Sequence, residues 1–218
     1  MDAALPTGAT SHDFFRRARA RLTLDVPPAL DDPTREAKRG DLDLDPAMWE
    51  QVGVKATRPA AVLVPVVDRS EPAVLLTLRT ELPSHPGQIA FPGGKIEPQD
   101  RTPADAAMRE AAEEIGLTRA LIEPIGYLDL YLTFSGFRIL PTVARVAPDY
   151  KLVLSEQEVA DAFEVPLTFL MDVQNHALHS RDWKGVTRRY YAMPFGERYI
   201  WGVTAGILRN LYERIYEG

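Results

Sequence analysis

The sequence predicts an α/β fold, a mixed β-sheet lying between helices, with a helical and loop arm in front of it. Three observations carry this. Short apolar runs of strand length recur along the chain, several of them paired across turn residues in the manner of hairpins. Two segments, 102–116 and 204–216, carry helical periodicity instead. The opening segment has a third character, rich in Pro and Asp after one short amphipathic stretch. With 218 residues and 45% hydrophobic content, one domain with an extension is expected, and enough apolar material for a full core. The division is drawn as an arm over residues 1–57 and a domain over residues 58–218.

Taken in order, Ser11 is placed to cap a short helix whose inner face is Phe14, Phe15, Ala18 and Leu22. Residues 27–46 follow as loop, with Arg35-Glu36-Ala37-Lys38-Arg39-Gly40 inside them. Packing, disorder and a homodimerisation arm are the readings open for this region, and none of its residues is given a catalytic role. Residues 59–67 and 74–79 are expected as strands of a hairpin around the 68–72 turn. Residues 126–132 and 137–146 form a second strand pair around Ser135-Gly136. A helical turn or loop at 155–159 leads to the apolar 163–167 stretch. A late hairpin spans 187–195 and 198–201 about Gly196, with Trp201 in the core. The closing helix, 204–216, buries Ile207, Leu208, Leu211 and Ile215. His176 and His179 are spaced for one helix face, but two histidines without a third ligand are weak evidence for zinc.

Composition removes several function classes. There are no cysteines, which excludes disulfides, thiolate metal sites and cysteine nucleophiles. A net charge of −6 lacks the basic footprint of nucleic-acid binding. No run approaches the roughly 20 apolar residues of a membrane helix. No charged segment followed by an apolar one opens the chain, so a cytoplasmic protein is expected.

The stretch that decides function is 91–117. Thr102 is the N-cap of its helix, Pro103 sits at the first helical position, and Asp105 stands where a capping box wants a carboxylate. Gly116 closes the helix in the slot that favours left-handed backbone. Met108, Ala111, Ala112 and Ile115 form the expected buried stripe, and Glu110, Glu113 and Glu114 cluster on the opposite, exposed face. Carboxylates at this spacing repel one another, and a divalent cation would offset the repulsion. Alternating Ala and Glu alone is more often a solvated face. What shifts the balance is Phe91-Pro92-Gly93-Gly94-Lys95 just before it, because paired glycines bring backbone close to a neighbour. Clustered carboxylates without Cys or convincing His partners select a hard cation such as Mg²⁺. Arg109, four residues before Glu113, is placed to orient it through an ion pair.

This compound pattern resembles the signature of the Nudix hydrolases. Gly94, Arg109, Glu110, Ala111, Glu113, Glu114, Gly116 and Leu117 fill its positions, with Asp100 where the general signature has Glu. The Gly-to-Arg spacing is one residue longer than in the general signature. That longer loop is a habit of the coenzyme A pyrophosphatase branch, which also carries a segment like Leu75-Leu76-Thr77-x-Arg79 leading into Gly87 and Phe91-Pro92-Gly93-Gly94. The branch normally has Ser or Ala after the arginine and then a second basic residue, where this chain has Thr80 and Pro83. The departure bears on coenzyme A recognition rather than on hydrolysis.

The resemblance implies a Nudix-type α/β/α sandwich and hydrolysis of a small-molecule diphosphate with Mg²⁺ or Mn²⁺. Coenzyme A or acyl-coenzyme A is the leading substrate; a dinucleotide or nucleotide sugar is the alternative within enzymes. A nucleotide-sensing module without catalysis is the rival from another class, but such modules typically lose metal carboxylates. By the same resemblance Glu110, Glu113 and Glu114 are metal ligands, joined by the Gly94 carbonyl. One of the glutamates, Glu113 being the choice, also handles the attacking water, with Arg109 and a fourth carboxylate, Glu158, beside it. Arg79, His85, Lys95, Arg188 and Arg189 are the expected substrate contacts.

Overall fold

A computed structural model describes residues 10–35, 37, 39–41, 43–45, 56–80, 87–183 and 186–217. In chain order its elements are α1 (Ser11–Arg21), β1 (Arg39–Gly40), β2 (Arg58–Val67), β3 (Ala73–Arg79), β4 (Ile89–Ala90), β5 (Gly93–Lys95) and α2 (Pro103–Ile115). There follow β6 (Ile122–Tyr127), β7 (Tyr131–Leu132), β8 (Phe137–Val146), β9 (Val159–Pro166) and the single turn α3 (Leu167–Leu170). The chain ends in β10 (Ala177–Trp183), β11 (Val186–Phe195), β12 (Arg198–Trp201) and α4 (Val203–Tyr212).

Among the described residues the main sheet has nine strands and is mixed. Its spine is β2, paired in parallel with β8 along its whole length from Arg58↔Phe137 to Val67↔Val146. The expected hairpin of β2 with β3 closes only at Val66↔Val74 and Val67↔Ala73. Beyond that the two strands part. The freed edge of β2 takes β5, with Ala60–Val62 facing Gly93–Lys95, while β3 pairs with β4 and β9. The glycine-rich segment is therefore a strand of the sheet rather than a free turn.

Side chains alternate across β2 and β3, and each face has its own core. Ala61, Leu63, Val67 and Leu75 meet Ala107, Met108, Ala111 and Ile115 of α2 on one side. Val64, Val66, Val74 and Leu76 meet Ile207, Leu208, Leu211 and Ile215 on the other, together with Phe14, Phe15 and Ala18 of α1. Helices thus cover both faces, as the sequence pattern required.

Several local expectations change. Thr10 rather than Ser11 caps α1, and the Ser11 hydroxyl instead donates to Asp68. Segment 126–132 is broken into β6 and β7, and β10 is a strand that periodicity did not signal. The closing helix gives way to a π turn over Glu213–Glu217. His176 and His179 are not on a helix. His176 is buried, its Nε2 2.7 Å from the Leu170 carbonyl, and His179 lies in β10 against Tyr190 and Tyr199.

Candidate active site

The site begins where α2 lies across β2 and β5. Phe91 is buried, and the Pro92 carbonyl accepts from Leu63 N–H at 2.8 Å, which fixes the strand before the glycines. Gly93 has φ 156°, and a Cβ there would stand 2.5 Å from the Ala61 carbonyl oxygen, so no other residue fits. A Cβ on Gly94 would overlap the carboxylate of Glu110. The missing side chain of Gly94 leaves the space that the Glu110 carboxylate occupies, and that of Gly93 lets the strand lie against β2.

The helix is punctuated as its sequence indicates. Thr102 Oγ1 accepts from Asp105 N–H at 3.1 Å, Pro103 opens the first turn, and Gly116 takes φ 68°. Its faces differ from expectation. Ala112 is exposed, and Ala104 and Ala107 fill the stripe with Met108, Ala111 and Ile115. Glu113 is exposed and Glu110 half-buried, but Glu114 is 3% exposed. Glu110 and Glu114, one turn apart, look toward Gly94 and Gly93; Gly93 N–H donates to Glu114 Oε2 at 3.3 Å. The three glutamates therefore do not share one solvated face.

Burial is what sets the charge of this pair. The Glu114 carboxyl is pushed up to about 7, first by burial, against the Arg79 charge and the Gly93 N–H that favour ionisation, with Glu110 and Glu158 adding repulsion. Glu110 is also raised by burial, a rise that Arg109 opposes. Arg109 is the organising cation. Its guanidinium forks onto Asp100, with both nitrogens at 3.0 Å, and reaches Glu110 at 3.0 Å, Glu113 at 3.1 Å and the Lys95 carbonyl at 3.1 Å. The expected Glu113 contact is present, but Asp100 is the bidentate partner. No helical spacing links the two, so periodicity could not signal it.

The remaining candidates divide. Arg79 ends β3, donates its N–H to the Gln88 carbonyl at 3.0 Å, and its charge acts on Glu114. Glu158 sits exposed on the turn before β9, and its charge is felt by both Glu110 and Glu114. Lys95 is exposed beside the glycines. His85 lies outside the described residues. Arg188 pairs with the buried Asp41 at 3.1 Å and lies over the Phe134 ring, while Arg189 pairs with Asp45 at 2.7 Å. These two guanidiniums fasten Asp41 and Asp45 to β11. No contact among the described residues joins either to the glutamates.

Oxygen donors dominate the cluster, which suits a hard divalent cation. Among the described residues no three acidic or histidine side chains already converge as a preformed metal cage. The fit rests on Glu114: a buried carboxyl beside two others, held partly protonated, is a donor that a cation would return to its ionised form.

A family model, the NUDIX domain, matches residues 57–185. The chain belongs to the Nudix family. It is a hydrolase of pyrophosphate bonds in small-molecule diphosphates. Similar Nudix proteins include the uncharacterized Nudix hydrolase NudL of Yersinia enterocolitica, 38% identical over 157 residues, covering 72% of this chain and 80% of the relative. NudL of Enterobacter sp. is 38% identical over 155 residues, covering 71% of this chain and 81% of its own. Among solved structures, a Nudix hydrolase from Alicyclobacillus acidocaldarius aligns with a TM-score of 0.48 at 20% identity, over 73% of this chain and 93% of its own. No helix among the described residues of this Nudix hydrolase is long and apolar enough to cross a membrane.

Proposed function

We propose that this Nudix hydrolase cleaves the diphosphate of coenzyme A or acyl-coenzyme A, giving 4′-phosphopantetheine or its acyl form and 3′,5′-ADP. The observation that supports the reading is the course of β3. Its Leu75-Leu76-Thr77-Leu78-Arg79 run, which resembles the coenzyme A branch, pairs with β4 and ends in Arg79, whose charge acts on Glu114. A guanidinium there is suited to grip a phosphate oxygen bidentately.

Glu110, Glu114 and Glu158, with the Gly94 carbonyl, are the groups to hold Mg²⁺ or Mn²⁺. When bound, that cation supplies charge neutralisation at the diphosphate oxygens and a lowered pKa for a water. The chain's own residues do the rest. Arg109, forked on Asp100, holds the Glu110 and Glu113 carboxylates in place. Glu113, the most exposed of the three and held by Arg109 through one carboxylate oxygen, receives the proton of the attacking water. Arg79 and Lys95 bind the phosphates, and His85, outside the described residues, is proposed with them from the sequence alone.

A second reading is favoured by Arg188 and Arg189. Their pairing with Asp41 and Asp45 withdraws the guanidiniums that suited a 3′-phosphate, which leans toward a dinucleotide or nucleotide sugar. The test is hydrolysis of coenzyme A against dephospho-coenzyme A, with Mg²⁺ and with Mn²⁺, products read by mass spectrometry. One guanidinium–phosphate contact is worth about 1.5–3 kcal/mol, roughly ten- to a hundredfold in preference for coenzyme A. Equal rates would move the substrate to the second reading.

A further inference from the structure

The turn that carries Glu158 is held at both ends by groups that hydrolysis itself does not use. One end hangs from the glutamate helix. Val153 N–H donates to the Ile115 carbonyl at 3.0 Å, and Ser155 N–H donates to the Glu114 carbonyl at 2.8 Å. Gly116 makes room for this approach, since a Cβ there would stand 2.9 Å from Val153 N. The other end meets Thr80, the residue that follows β3. Thr80 N–H donates to the Glu158 carbonyl at 3.1 Å, and Thr80 Oγ1 donates to the Gln157 carbonyl at 2.9 Å. A single residue thus grips two consecutive carbonyls, one of them Glu158's own.

The strand beneath is shaped for this grip. Pairing of β3 with β9 slips from Leu78↔Asp161 to Arg79↔Val159, leaving Ala160 as a bulge. Val159 then joins the core under α2, although Val165, an even number of residues away, belongs to the opposite core. Bulges beside active sites re-aim the strand end in this way. Among the described residues no hydrogen bond or ion pair holds the Glu158 carboxylate itself, so its place depends on the backbone of its turn.

We propose that Thr80 is a positioning residue, whose side-chain hydrogen bond to the 157–158 turn fixes Glu158 beside Glu110 and Glu114. The inference rests on the reading of Glu158 as a fourth carboxylate for the cation. It gives Thr80, which directly follows the phosphate-binding Arg79, a role in building the metal site rather than in touching substrate. The N–H bond survives any ordinary substitution, so the hydroxyl can be tested alone.

The experiment titrates Mn²⁺ alone, by calorimetry, into wild type, Thr80→Val, Thr80→Ser, Glu158→Gln and the Thr80→Val/Glu158→Gln double variant, then measures coenzyme A turnover. Thr80→Val should weaken Mn²⁺ binding by about tenfold, the lower end for loss of a group that orients a ligand, with Thr80→Ser restoring it to within about twofold. The double variant should bind no more weakly than Glu158→Gln. With coenzyme A, Thr80→Val should lower kcat at saturating Mn²⁺ and leave KM unchanged, while melting in chelator stays at the wild-type temperature. Wild-type Mn²⁺ affinity in Thr80→Val overturns the proposal. So does an undiminished Thr80→Val effect in the Glu158→Gln background, or a change confined to KM. Wild-type affinity in Glu158→Gln removes the ligand and the proposal together. Absence of coenzyme A turnover sinks only the substrate reading, because the Mn²⁺ titration needs no substrate.

Discussion

Glu114→Gln should make the metal-free protein more stable while removing its activity. The Glu114 side chain is buried, and its carboxyl is pushed from an ordinary 4.5 to about 7, burial being the largest cause. A carboxyl whose folded value is raised binds more protons folded than unfolded. Stability of the metal-free protein therefore falls as pH rises from 4.5 to about 7, then levels off. At about 1.4 kcal/mol per unit, the ionised group costs on the order of 3 kcal/mol at pH 8 and less than about 1 kcal/mol at pH 5. Glutamine keeps the shape, and its amide oxygen can still accept from Gly93 N–H. In chelator, urea denaturation followed by circular dichroism should show Glu114→Gln more stable than wild type at pH 8, by up to about 3 kcal/mol, with the gap nearly closed at pH 5. Mn²⁺ at a thousand times its Kd should reverse the order at pH 8, since it adds about 4.1 kcal/mol to the form that binds it. A glutamine variant less stable than wild type at both pH values, or a gap independent of pH, would refute the reasoning.

Three further outcomes follow from neighbouring contacts. Glu110→Gln should lower kcat at saturating metal by about a hundredfold or more while the melting temperature in chelator holds; near-wild-type turnover would remove Glu110 from the site. Asp100→Asn breaks the fork that holds Arg109, and should cost about ten- to a hundredfold in Mn²⁺ affinity by loosening Glu110 and Glu113. The Arg109 hydrogen bonds hold the Asp100 carboxyl below its ordinary value, so its stabilisation is full above about pH 4 and is lost as pH falls through the lower folded value. Acid unfolding below pH 4 should be correspondingly shallower in Asp100→Asn. Gly94→Ala puts a methyl into the Glu110 carboxylate, and Mn²⁺ titration should show affinity reduced by about tenfold or more, with the sheet intact by circular dichroism.

What the sequence made legible was local chemistry. Thr102, Pro103 and Gly116 bracket the glutamate helix because capping depends on a few adjacent residues, and each stands where its type predicts. Both core-bearing helices and the long strands could be placed for the same reason. Pairing was not legible. That β2 leaves β3 after two residue pairs and takes the glycine strand on the vacated edge depends on pairs such as Val62↔Gly93 and Ala60↔Lys95, far apart in sequence, which neither turn chemistry nor alternation encodes. The same limit hid Asp100 behind Arg109, and Asp41 and Asp45 behind Arg188 and Arg189.

Glu114 is the instructive departure. Periodicity gives an angle around the helix axis, and that angle is shared by Glu110 and Glu114; it says nothing of what lies opposite. What lies opposite is a pair of glycines, so a face written in glutamates is buried without a clash, and the burial of one carboxyl outweighs what Arg79 and the Gly93 N–H return to it. A sequence selected only for stability would put an apolar side chain at position 114, as it does at Ala111 and Ile115 on the adjoining stripe. The local rule is broken where Gly93, Gly94, Arg79 and the Glu158 turn all meet. A bound cation would turn this costly arrangement into a stable one, and that is why the metal-free stability of Glu114→Gln, rather than its lost activity, is the sharper measurement.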